Sequence, residues 1–82
     1  MQIEPLRPKF RKYLTRHGLS EKYAKQSALF CVDPKYPSLN TEILKPREFK
    51  LYSFRIDRKY RAVFYFKLPG VIEVVDINSH YQ

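Results

Sequence analysis

The chain has 82 residues, enough for one small domain with a single modest core. Hydrophobic residues make up 44% and aromatic residues 16%, which excludes a disordered chain, and no apolar run approaches the ~20 residues of a transmembrane helix. Sixteen Lys and Arg stand against eight Asp and Glu, a net charge of +8 that points to nucleic acid, an acidic protein, or both.

That charge is uneven. Residues 7–16 hold Arg7, Lys9, Arg11, Lys12 and Arg16 with no acid, and residues 45–61 hold seven cations against Glu48 and Asp57. The N-terminus has no signal-peptide pattern, so a soluble, cytoplasmic protein is expected. Cys31 lies in an apolar stretch and reads as a small core residue of a reducing compartment. Cys31, His17 and His80 lack metal-ligand spacing, and neither a metal nor another cofactor is expected.

In chain order, residues 1–8 carry Pro5 and Pro8 and read as an edge strand or an arm. Phe10, Tyr13 and Leu14 then follow helical spacing, and Gly18 supplies a stop. The cations of this stretch fall largely off the apolar stripe, leaving a basic outer face. Ser20 is the expected N-cap of a second helix, with Glu21 in its first turn. Tyr23, Ala24, Ser27, Ala28, Phe30 and Cys31 make it amphipathic, and Asp33-Pro34 closes it. So short a connection makes the pair a helical hairpin. Residues 34–39 read as an irregular crossover and 41–44 as a strand.

Residues 49–67 (FKLYSFRIDRKYRAVFYFK) alternate with period two on both sides of a turn, and their aromatic and β-branched residues suit strands. A three-residue loop Asp57-Arg58-Lys59 sets Ile56 opposite Tyr60, Phe54 opposite Ala62 and Tyr52 opposite Phe64, apolar against apolar throughout. A one-residue slip would mix the two faces, which a half-buried sheet resists. The same register sets Arg55 opposite Arg61. Like charges so placed cost a hairpin roughly 0.2–1 kcal/mol. An anion held between the guanidiniums would relieve the pair, and so would a nearby acid or splayed, solvated side chains.

Leu68-Pro69-Gly70-Val71 has the Pro-Gly centre of a type II turn, and 71–77 is the last strand. Regular pairing back from Leu68 and Val71 sets Phe64 opposite Val75, Ala62 opposite Ile77 and Arg61 opposite Asn78. Val74, Asp76, Asn78 and His80 then share the outer face with Arg61, Val63 and Tyr65. The expected fold class is α+β: one domain over residues 1–82, an N-terminal helical hairpin packed on a small antiparallel sheet.

The outer face thus gathers Arg55, Arg61, Asp76 and His80, with Tyr65 further along and Tyr81 beside the terminus. Glu42 joins them if 41–44 pairs with 49–56. Cleavage of RNA at a 2′-hydroxyl needs a base, cations for the phosphorane and an acid for the leaving oxygen. Glu or His, Arg, and His or Tyr can fill those roles without a metal. Plainer roles exist for each: His80 as a solvated terminal residue, Asp76 as an ion-pair partner of Arg61, the tyrosines as packing.

Tyr36-Pro37-Ser38-Leu39, then YSFRIDRKYRAVFYF, then VIEVVDINSHYQ make the chain resemble the RelE/ParE superfamily of type II toxin–antitoxin toxins, from Phe10 onward. The resemblance implies the RelE-like fold, with helices on a curved antiparallel sheet, and a cognate antitoxin as partner. It further implies the mRNA interferase branch, which enters the ribosomal A site and cuts mRNA without a metal. The ParE branch instead poisons DNA gyrase, and some relatives are basic binding modules with no activity. Carried over by position, Arg61 holds the scissile phosphate, His80 and Tyr81 serve proton transfer, and Glu42 is the base. Arg55 and Lys45 match further basic positions. Arg58, Lys59, Lys50 and Tyr65 complete the expected RNA-binding set.

Overall fold

The computed structural model describes residues 1–79. Its elements are β1 (Gln2–Ile3), α1 (Pro8–Arg16), α2 (Ser20–Val32), β2 (Glu42–Ile43), β3 (Tyr52–Arg55), β4 (Arg61–Leu68) and β5 (Val71–Asn78). The strands form one sheet in the order β1-β5-β4-β3-β2, antiparallel except for β1, which pairs parallel with β5. Residues 1–8 therefore open with an edge strand, secured by Glu4 N–H donating to the Ile72 carbonyl at 2.9 Å.

Both helices lie on one face of the sheet, and period explains which side chains meet. Phe10 and Leu14 of α1 and Tyr23 and Phe30 of α2 are buried against Phe54, Ala62, Phe64, Ile72, Val74 and Ile77 of the strands. Aromatic rings carry much of this core. Phe30 stacks on Phe54 at 5.2 Å and meets Phe64 edge-on at 5.1 Å, and Tyr52 stacks on Phe64 at 5.7 Å. Gly18, at φ 65°, turns the chain between the helices, and buried Leu19 takes the N-cap position. Ser20 is thus the first helical residue rather than the cap, because the core claims the residue before it.

The β3–β4 hairpin has the expected register: Tyr52 opposite Phe64, Phe54 opposite Ala62, and Arg55 opposite Arg61. Ile56 N–H donates to the Tyr60 carbonyl at 2.9 Å, closing the loop. Within it the Asp57 carboxylate accepts the amides of Lys59 and Tyr60, both at 2.8 Å, and Lys22 lies 3.5 Å away. Burial pushes this carboxyl up, but the two amides and Lys22 outweigh it and hold it below the usual range. Depressed in the folded state, Asp57 stabilises the protein above its ordinary pKa, and that contribution fades as pH falls through the lowered value. Asp57→Ala is expected to cost about 1–2 kcal/mol at neutral pH and to blunt the acid loss of stability, measured by urea unfolding at several pH values.

The β4–β5 pairing corrects the sequence expectation in its middle. Leu68 faces Val71, Ala62 faces Ile77 and Arg61 faces Asn78 as anticipated, but Phe64 faces Val74, not Val75. Register shifts between Val63 and Phe64 and between Phe66 and Leu68 displace the intervening pairs by one residue. Val74 consequently belongs to the core, not to the outer face. Uninterrupted alternation would have aimed Glu73 into that core, where an unpaired carboxylate is costly. With the shift, Glu73 sits on the open side and accepts hydrogen bonds from Arg7 at 2.9 Å and Tyr65 at 2.9 Å.

Candidate functional site

On the sheet face away from the helices, Arg61 is the centre, and it is buried: its side chain is 4% exposed. Its Nε donates to the Ser53 hydroxyl at 2.8 Å, and its Nη2 donates to the carbonyls of Asn40 and of Ser53, the latter at 3.2 Å. Nη2 also lies 3.5 Å from a Glu42 carboxylate oxygen. Burial pushes the guanidinium pKa down, Glu42 pushes it up and Arg55 pushes it down again. An arginine nonetheless keeps its charge under these pressures.

Local sequence explains why these groups converge. Ser53 directly faces Glu42 across β2–β3 and neighbours Arg61 diagonally, so a small hydroxyl leaves room for the guanidinium between them. Asn40 sits at φ 44°, a left-handed conformation that Asn tolerates, with its carbonyl accepting from Arg61. Ser53 and Asn40 were not among the residues expected at the site. The signal available was the small polar Ser53 on the outer face beside Arg61, whereas Asn40 carried none.

Glu42 does join Arg61, and its side chain remains 46% exposed. Its carboxylate is therefore held at one end by a cation and open to solvent at the other, as proton transfer requires. Nη1 of Arg61 makes no hydrogen bond to a described residue. Arg55, opposite Arg61, is half-buried; its carbonyl accepts from Gln26 at 2.8 Å. The nearby acid that relieves the Arg55–Arg61 repulsion is Glu42, not Asp76. Asp76 accepts from Asn78 at 2.7 Å and from the Ile77 amide at 2.9 Å.

The remaining expected residues are spread over the molecule. Lys45 and Lys50 are exposed on the β2–β3 connection, and Arg58 and Lys59 on the hairpin loop. Arg58 lines a shallow cleft of about 480 Å³ with Arg55, Lys22 and Lys25. Tyr65 is not at the centre. Four residues along β4 from Arg61, roughly 13 Å away, its hydroxyl is committed to Glu73, which pushes its pKa up. His80 and Tyr81 lie outside the described residues.

A larger, mostly apolar cleft of about 560 Å³ opens on the helix side, floored by Phe30, Phe64 and Phe66, and shares Asn40 and Glu42 at its rim. Among the described residues no group of three or more His, Cys, Asp and Glu is placed to hold a metal ion.

No family model and no curated protein matches the chain. Solved structures do. A YoeB/ParE toxin from Agrobacterium tumefaciens superposes with a TM-score of 0.72 at 20% identity, covering 99% of this chain and 100% of that one. The chain has the YoeB/ParE toxin fold. YoeB from the heterotetrameric YoeB–YefM toxin–antitoxin complex of Staphylococcus aureus matches with a TM-score of 0.69 at 19% identity, over 98% of this chain and 94% of that one. The YoeB dimer from the same organism gives 0.61 at 22% identity, with the same coverage. The YoeB-like architecture thus spans nearly the whole chain, as the sequence resemblance implied. No helix of the described residues is long and apolar enough to cross a membrane.

Proposed function

We propose that this protein is the toxin of a type II toxin–antitoxin pair, a ribosome-dependent endoribonuclease that cuts mRNA and is neutralised by a cognate antitoxin. The observation that carries this reading is the Glu42–Arg61 pair, a half-exposed carboxylate held 3.5 Å from a buried guanidinium, with Arg55 across the hairpin. In it Glu42 takes the 2′-hydroxyl proton, and Arg55 with Nη1 of Arg61 faces the phosphate. His80 and Tyr81 are assigned to protonation of the leaving oxygen. Arg61 acts chiefly as a positioning residue, because most of its donors are already engaged within the protein. Lys45 and Lys50 extend the phosphate contacts along the β2–β3 connection, and none of these steps calls on a metal.

Glu42→Gln is the discriminating variant, since it removes the base while keeping shape and leaving folding nearly unchanged. Induced alone, the wild-type chain is expected to stop methionine incorporation promptly, with new mRNA ends inside translated codons. Glu42→Gln is expected to lose at least 100-fold of that cleavage, the usual scale of general-base catalysis. Full toxicity of Glu42→Gln would overturn the assignment. Loss of thymidine incorporation first, with intact mRNA, would make DNA gyrase the target. No growth effect at all would leave an inactive basic module.

A further inference from the structure

A second surface stands apart from the candidate site and combines rings with exposed cations. On α1, Lys9, Lys12 and Arg16 recur at i, i+3 and i+7 and form one exposed stripe, and Tyr13 and His17 at i and i+4 form the next. Tyr13 and His17 lie 4.1 Å apart between ring centroids, and both meet Tyr60 at the end of the β3–β4 loop, at 6.2 and 5.5 Å. Lys59 completes the rim from that loop, its Nζ 5.6 Å over the Tyr60 ring. Lys9 in turn lies over Phe10 at 5.1 Å.

These cations, Lys9, Lys12, Arg16 and Lys59, are exposed and have no ion-pair partner among the described residues. Of the nearby acids, Asp57 is held by the loop amides and Lys22. Asp76 accepts from the neutral Asn78, and its charge lies near Tyr13, where, after burial and Tyr60, it helps push that hydroxyl's pKa up. Four exposed cations against the single carboxylate of Asp76, around three partly open rings, match a ligand that is both polyanionic and planar. An acidic peptide would use the cations but would engage the rings only where it carries apolar or aromatic side chains, whereas every nucleotide of a single strand has a face to stack.

We propose that Tyr13, His17 and Tyr60, rimmed by Lys12, Arg16 and Lys59, form a docking surface for single-stranded RNA, with bases on the rings and phosphates on the cations. Binding here needs no cleavage, so the proposal does not rest on the nuclease reading of the Glu42–Arg61 site.

The test is fluorescence anisotropy with a short 2′-O-methyl oligonucleotide, which cannot be cut through a 2′-hydroxyl, titrated at several salt concentrations and at pH 8. The triple variant Lys12→Gln/Arg16→Gln/Lys59→Gln is expected to bind at least tenfold more weakly. Its log–log salt slope should be shallower by about 2, at ~0.7 per single-strand phosphate contact. His17→Ala, at an exposed position, and Tyr60→Leu, which keeps the packing, are each expected to lose about fivefold or more with the slope unchanged. Wild-type affinity in all three variants would overturn the proposal, as would a loss confined to Arg55→Gln and Lys45→Gln. Displacement of the oligonucleotide by polyglutamate, with His17→Ala binding normally, would assign the surface to an acidic protein instead and equally overturn it. Because the probe is uncleavable, a toxic Glu42→Gln chain would sink the nuclease reading and leave this result untouched.

Discussion

Arg61→Ala is expected to lower the unfolding free energy by about 2–4 kcal/mol, besides abolishing any activity of the Glu42 site. Three acceptors would lose their donor at once: the Ser53 hydroxyl, the Ser53 carbonyl and the Asn40 carbonyl. Ser53 is fully buried, so water does not readily replace what the guanidinium supplies. The residue is also packed, and its loss leaves a cavity on the outer face. Arg61→Lys keeps the charge but offers one compact ammonium in place of a planar fork, and should recover only part of the stability. Denaturant unfolding of Arg61→Ala, Arg61→Lys and Glu42→Gln, each paired with an activity measurement at a temperature where all three stay folded, separates the roles. Arg61→Ala as stable as wild type would mean that the burial and hydrogen bonds around this guanidinium do not hold in solution. The Glu42 variant should lose activity with a much smaller loss of stability than Arg61→Ala, because the carboxylate is half-exposed and the glutamine keeps a side-chain oxygen that can accept from the guanidinium.

Phe64→Ala is expected to be the most damaging change in the core, at about 3–5 kcal/mol. Its ring is fully buried and lies within 6 Å of four others: Phe30 at 5.1 Å, Tyr52 at 5.7 Å, Phe66 at 5.8 Å and Phe54 at 5.9 Å. Helix α2 is held to the sheet through the Phe30 contact, so the cavity would open at the joint between the two layers. For a domain whose whole stability is on the order of 5–15 kcal/mol, that loss brings the unfolded state into view at 37 °C. Phe64→Leu keeps much of the volume and should cost roughly half as much. Thermal unfolding followed by circular dichroism distinguishes the two. Equal midpoints for Phe64→Ala and wild type would contradict the layered core.

What the sequence determined by itself is the part of the fold set by local periodicity and turn chemistry. Alternation through 49–67 admits only one register that keeps apolar residues on one face, so Tyr52–Phe64 and Arg55–Arg61 could be paired from the residues alone. Gly18 and Pro69-Gly70 marked the chain reversals because few other residues adopt the backbone found there, φ 65° at Gly18 and 78° at Gly70. The resemblance of these stretches to one superfamily likewise anticipated the shared fold.

Other features depended on contacts between distant segments. The register shift that carries Val74 inward and Glu73 outward is invisible to a strict period of two, because alternation is intact on either side of it. It is decided by the helices covering one face and by Arg7, 66 residues earlier in the chain, receiving Glu73 on the other. The burial of Arg61 was equally hidden. A charged residue at an outward position reads as solvated until Asn40, Ser53 and Glu42 arrive from two other strands and a loop. Whether a cation faces water or acceptors is a property of the assembled sheet, because the Asn40 and Ser53 carbonyls, the Ser53 hydroxyl and the Glu42 carboxylate come from separate segments that only tertiary structure brings together.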